Sequence, residues 1–106
     1  MASLHGKKLG LLISTSSEQP GFHHAVRLAE TALARGVQVY LYCIDEAVSG
    51  LADPQLQALK RRGANLFACA YGVQNRNLPM NDLATFAGLT IVSDLISGTD
   101  RFLSFN

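Results

Sequence analysis

The amino-acid sequence predicts a three-layer α/β/α fold around a five-stranded, mainly parallel sheet. Three observations carry that expectation. Strand-like runs alternate with helix-like segments along the whole chain, and no hairpin dipeptide joins two strands. The first apolar run, K-K-L-G-L-L-I-S from Lys7 to Ser14, is nearly continuous rather than alternating, as expected of a strand covered by helices on both faces. The 106 residues, 48% of them hydrophobic, suit one domain with one core. Residues 1–6 are read as a mobile N-terminus.

After the first strand comes a hydroxyl-rich loop, Ser14 to Ser17, and Pro20 offers a first helical position because its fixed φ and missing N–H suit the first turn. Phe22, Ala25, Val26, Ala29, Ala32 and Leu33 recur at helical spacing, and Gly36 supplies a left-handed stop. Val37 to Cys43, rich in β-branched and aromatic residues, predicts the second strand. A helical turn from Asp45 to Ser49 leads to a helix capped by Asp53, opened by Pro54 and ended by Gly63. Its last residues, Lys60 to Arg62, form the main basic cluster, explained by the helix C-terminus and solvent. Asn65 to Cys69 predicts the third strand, with a short helix after it. Asn81 is read as the cap of a further helix through Phe86, Leu89 to Val92 as the fourth strand, Ser93 as the cap of one last turn, and Arg101 to Phe105 as the fifth strand.

Composition narrows the function. A formal net charge of +1 gives no electrostatic reason to bind nucleic acid or an anionic membrane. No apolar run approaches the roughly 20 residues needed to span a bilayer. The N-terminus carries no signal-peptide pattern, so the expected compartment is the cytoplasm, where two cysteines without a C-x-x-C spacing are expected to be free. No metal is expected: His23 and His24 are adjacent in sequence and therefore point about 100° apart on a helix. No G-x-G-x-x-G or Walker sequence calls for a nucleotide, and no cofactor is expected.

In an open parallel sheet ligands bind beyond the carboxyl ends of the strands. The residues predicted there are Ser14 to Ser17, Cys43 to Asp45, Cys69 to Gly72, and Ser93 with Asp94. Cys69 stands where a strand gives way to a helix, where unpaired N–H groups favour an anion such as a thiolate. Arg76 follows about two helical turns on, within reach of an anionic sulfur. The competing reading makes Cys69 a buried packing residue, since free cysteine behaves as a small hydrophobe. Asp45, Glu46 and Asp94 are read as caps rather than a catalytic pair. If the second and third strands are neighbours, Cys43 and Cys69 end adjacent strands, and Cys43 becomes a candidate second thiol that resolves an oxidised Cys69.

These residues resemble the DsrE/DsrF-like family, which includes TusD-type sulfur-relay subunits. The likeness runs over about residues 7 to 106: K-L-G-L-L-I-S, the helix G-F-H-H-A-V-R-L-A-E-T-A-L-A-R-G-V, V-Y-L-Y-C-I-D-E-A-V, then L-K-R-R-G-A-N-L-F-A-C-A-Y-G-V-Q-N-R and the strand D-R-F-L-S-F. Cys69 occupies the place of the family's sulfur-carrying cysteine. The resemblance implies a sulfur carrier or sulfurtransferase that takes sulfane sulfur as a persulfide on Cys69 and passes it to a partner protein, in tRNA thiolation or in sulfur oxidation. It also implies a trimer, a hexamer or an assembly with related subunits, with sulfur donor and acceptor proteins as partners. Ser14, Thr15, Ser16, Tyr71, Gly72 and Arg76 are the residues expected to shape the persulfide pocket. One departure stands out: Asn77 follows Arg76 where relatives often have glycine. The alternative function is a noncatalytic subunit, or a small-ligand binding module, of the same fold with structural cysteines.

Overall fold

A computed structural model describes residues 3–106; Met1 and Ala2 of the expected mobile N-terminus lie outside the described residues. Of that segment, Gly6 donates its N–H to Gly36 O at 3.0 Å. Strand β1 (Lys8–Ile13) leads into α1 (Pro20–Ala34), whose buried residues Phe22, Ala25, Val26, Ala29 and Ala32 make the predicted stripe against the sheet. Strand β2 (Gln38–Cys43) is followed by a 3-10 helix (Asp45–Gly50) and α2 (Pro54–Arg61). Then come β3 (Asn65–Cys69) and the six-residue α3 (Ala70–Asn75). The chain closes with β4 (Thr85–Ala87), α4 (Thr90–Gly98) and β5 (Arg101–Phe105).

All strand pairings are parallel, in the order β4-β3-β2-β1-β5. The chain steps in one direction from β1 to β4, then α4 carries it back across the sheet to β5. Since parallel crossovers are right-handed, this reversal puts α4 on the face opposite α1 and α2, giving the three layers expected from the sequence. Gly10 permits that closure: a Cβ there would lie 2.7 Å from the Phe102 ring and 3.3 Å from Thr99 Oγ1. The core lies mainly between the sheet and α1 with α2, where Leu11, Ile13, Val39, Leu41 and Cys43 are fully buried.

Helix ends follow local chemistry. Asp53 accepts from the N–H groups of Gln55 and Leu56 at 3.0 and 3.2 Å, with Pro54 at the first helical position. Gly36 and Gly63 take positive φ just past α1 and α2, as predicted. Each closes a pair of backbone bonds, Gly36 to Leu33 with Val37 to Ala32, and Gly63 to Lys60 with Ala64 to Leu59. In the basic cluster that ends α2, Lys60 Nζ donates to Asp82 O.

The C-terminal third corrects the sequence reading. Asn81 caps no helix; its side chain accepts the Leu83 N–H at 3.0 Å, a local turn bond. Thr85–Ala87 is the fourth strand, and Leu89 to Val92, expected as that strand, holds the start of α4. The β-branched Thr90, Ile91 and Val92 favour a strand locally, but the helix they open buries Leu95 and crosses back to β1 and β5. Ser93 and Asp94 accordingly lie exposed on α4 and end no strand.

Candidate functional site

The carboxyl end of β3 positions Cys69. Strand β3 pairs with β2 up to Ala68 and with β4 through Cys69 itself, which stands opposite Ala87, and the chain turns into α3 at the next position. Cys69 itself caps that helix: its φ and ψ of -66° and 114° are extended, and Sγ accepts the Gly72 N–H at 3.3 Å. The residue is 6% exposed.

Gly72 lies close to both Cys69 and Arg76. A Cβ placed on Gly72 would lie 3.6 Å from Cys69 Cβ and 3.7 Å from Arg76 Nη1. Arg76 is fixed there by two bonds, Nη1 to Gly72 O at 3.3 Å and Nη2 to Glu46 Oε1 at 2.9 Å. The spacing of Cys69, Gly72 and Arg76 in sequence is thus realised as one cluster. The Glu46 partner is an addition, because sequence reasoning had assigned that residue to a cap.

Asn77 explains how the departure from glycine is accommodated. Its φ of 54° is left-handed, the conformation glycine adopts most freely and asparagine tolerates best among other residues. Asn77 N–H bonds Gln74 O at 3.1 Å and Leu78 N–H bonds Val73 O at 3.0 Å, so α3 ends with the same paired closure as α1 and α2. The turn keeps the shape that glycine would impart.

Other expected residues lie further off. Ser14 Oγ donates to Asn106 Oδ1 at 2.7 Å, and Ser14 N–H bonds Phe105 O at 3.0 Å. That places the Ser14, Thr15 and Ser16 loop at the end of β1, two strands from β3, or about 10 Å. Tyr71 is 66% exposed on the first turn of α3.

Cys43 requires a correction. It pairs with Ala68 in the β2–β3 register, and successive residues of a strand point to opposite faces, so Cys69 projects from the face opposite Cys43. The expected resolving role has no geometric basis here. Cys43 is fully buried, and burial pushes its thiol up to about 12. His23 packs edge-on to Phe22 with ring centroids 5.8 Å apart, and among the described residues no cluster of three His, Cys, Asp or Glu forms that could hold a metal.

Tyr42 is the residue that sequence reasoning missed. It pairs with Phe67, two positions before Cys69, and therefore shares a sheet face with the thiol. Its fully buried side chain donates to Ala87 O at 3.1 Å, and Ala87 is the β4 residue paired with Cys69. Burial first, then the adjacent Cys69 sulfur, hold the phenol well above the ordinary tyrosine range.

The backbone superposes on known structures over almost its whole length. It is similar to a conserved protein of unknown function, BT1422 from Bacteroides thetaiotaomicron, with a TM-score of 0.77 and 19% identity over 93% of this chain and 95% of that one. It is similar also to the ychN protein from E. coli, with a TM-score of 0.76 and 14% identity over 94% and 99% of the two chains. Both are proteins of the DsrE-like fold, and at this identity the likeness speaks for the fold. No family's sequence model and no curated protein matches the chain.

Proposed function

We propose that this protein is a sulfur carrier, a persulfide-relay sulfurtransferase that loads sulfane sulfur on Cys69 and hands it to a partner protein. The observation that carries the reading is the Cys69 sulfur at the carboxyl edge of the parallel sheet, accepting the Gly72 N–H at 3.3 Å, with the Arg76 guanidinium bonded to the Gly72 carbonyl. A backbone donor and a nearby cation are what an anionic sulfur needs. The DsrE-like resemblance assigns the same cysteine to the same task.

In the reaction, the Cys69 thiolate attacks the outer sulfur of a donor persulfide R–S–SH. A new S–S bond forms as the donor S–S bond breaks, RS⁻ leaves, and the transferred sulfur keeps its hydrogen or releases it to solvent. The acceptor repeats the exchange. Donor and acceptor are proteins, the compartment is the reducing cytoplasm, and the chain works as a homo-oligomer or with related subunits. No helix among the described residues is long and apolar enough to cross a membrane.

A specific observation favours a second reading, a noncatalytic subunit or small-ligand module: Cys69 is only 6% exposed and Arg76 is already paired with Glu46. Mass spectrometry after exposure to a persulfide donor separates the two. Gain of one sulfur atom on Cys69, absent in Cys69→Ser, supports the carrier; an unmodified Cys69 under conditions that load a control thiol supports the second reading.

A further inference from the structure

Tyr42 and Ala87 are bonded across β3 at the level of Cys69. Tyr42 lies on β2 and Ala87 on β4, with β3 between them, and Ala87 is the residue paired with Cys69. To reach Ala87 O at 3.1 Å, the phenol must pass over the strand on the face from which the thiol projects. The hydroxyl thus lies on the face and at the level of Cys69, whose sulfur is, after burial, a cause of the raised phenol. A phenol carries one proton and two acceptor lone pairs. With its proton on Ala87 O, the oxygen can accept from a neutral thiol; with the proton turned to the sulfur, it donates to an anion.

We infer that Tyr42 is a positioning residue of the sulfur site, turning its hydroxyl from Ala87 O to donate to the anionic sulfur held at Cys69. The inference rests on the reading of Cys69 as a sulfur carrier. Ala87 is half-exposed on the edge strand, so its carbonyl can take a water in exchange. The raised phenol keeps its proton across the working range, and Tyr42 therefore orients the sulfur without transferring a proton. The attack breaks and forms the same S–S bonds as above, with no net oxidation. The other charged groups bordering the thiol are Arg76 at the end of α3 and its partner Glu46 on the 3-10 helix; β4 offers no titratable side chain.

The test is the pH profile of Cys69 alkylation, read by mass spectrometry on the Cys69 peptide, in the wild type and in Tyr42→Phe. Loss of a donor to the charged form moves the profile alkaline by about one pH unit, so alkylation on its acid side slows about tenfold. An unchanged profile in a folded Tyr42→Phe overturns the inference. Should Tyr42→Phe fail to fold, 3-fluorotyrosine placed at position 42, a stronger donor of nearly the same shape, moves the profile the other way, and no movement overturns it. A wild type that takes up no sulfur from a persulfide donor while these profiles still move supports the Tyr42 contact and overturns the carrier reading alone.

Discussion

Cys43 stands opposite Ala68 in the parallel pairing of β2 with β3, and that one-residue offset sends Cys43 and Cys69 to opposite faces of the sheet. A disulfide needs its Cβ atoms about 3.8 Å apart and pointing toward each other. Mild oxidation of the folded protein is therefore expected to give sulfenic acid, mixed disulfide or an intermolecular bond through Cys69, and no Cys43–Cys69 bridge. Peptide mapping under non-reducing conditions checks this, and an intramolecular bridge formed without unfolding would show that the register slips.

The two thiols should also differ in reactivity. Cys43 is fully buried and its thiol is pushed up to about 12, whereas Cys69 retains some exposure and a backbone donor at its sulfur. Alkylation under native conditions should modify Cys69 at least tenfold faster, an order-of-magnitude expectation from thiolate fraction and access. Equal rates at the two positions would contradict the site.

The same burial makes the fold sensitive to alkali. Unfolded, the Cys43 thiol ionises near its ordinary 9.0, but folded it holds its proton to about 12. Between those values the unfolded state binds fewer protons, so stability falls as pH rises through that window. Tyr42, raised by burial first, adds to the loss above the ordinary tyrosine range. Cys43→Ala should cost about 1 kcal/mol at neutral pH yet flatten the lower part of this decline. Urea midpoints measured against pH in both proteins decide it; parallel curves would remove Cys43 as the cause.

Much of the architecture was legible because its signals are local. Pro20, Asp53, Pro54, Gly36 and Gly63 each act on backbone within a few residues of themselves, and each stands where the sequence reading put it. Asn77 could be seen as a departure from glycine, but its positive φ follows from how α3 closes onto Val73 and Gln74. The fourth strand was misread because the run from Leu89 to Val92 is apolar and β-branched, while the choice of helix there is made by the long return across the sheet. The candidate site divides along the same line. Cys69, Gly72 and Arg76 are close in sequence and came together in space. Tyr42 and Glu46 join them only through the β2–β3 register and the packing of the 3-10 helix against α3, contacts that no local pattern encodes.

Gly72 offers a way to disturb the cluster while sparing the fold. An added methyl would meet Val48 Cγ1 at 3.5 Å, Cys69 Cβ at 3.6 Å and Arg76 Nη1 at 3.7 Å, all ordinary contacts. Gly72→Ala should therefore be neutral or stabilising by up to about 1 kcal/mol through helix propensity. It also takes up space next to both Cys69 and the guanidinium, so the rate of persulfide loading on Cys69 should drop several-fold. Loading kinetics and thermal unfolding on the same sample separate the effects. Unchanged loading would mean that transfer does not use this gap.

The last prediction concerns assembly. Leu95 is the single buried residue of α4, while Ile96 on that helix and Leu89 just before it are 55% and 59% exposed. Tyr71 on α3 is 66% exposed, whereas Phe102 and Phe105 of β5 are partly buried, Phe102 against Gly10, which leaves α4 as the more apolar outer surface. A helix with so little of its apolar surface covered is stabilised by a second chain, and the family resemblance points to a trimer or hexamer. Light scattering at micromolar concentration should give the mass of an oligomer. Ile96→Lys, which places a charge on that surface without touching the core, should shift the population toward monomer and leave the single-chain fold intact by circular dichroism. A wild-type monomer would show that α4 meets solvent as it stands, and an oligomer unaffected by Ile96→Lys would move the contact to another face.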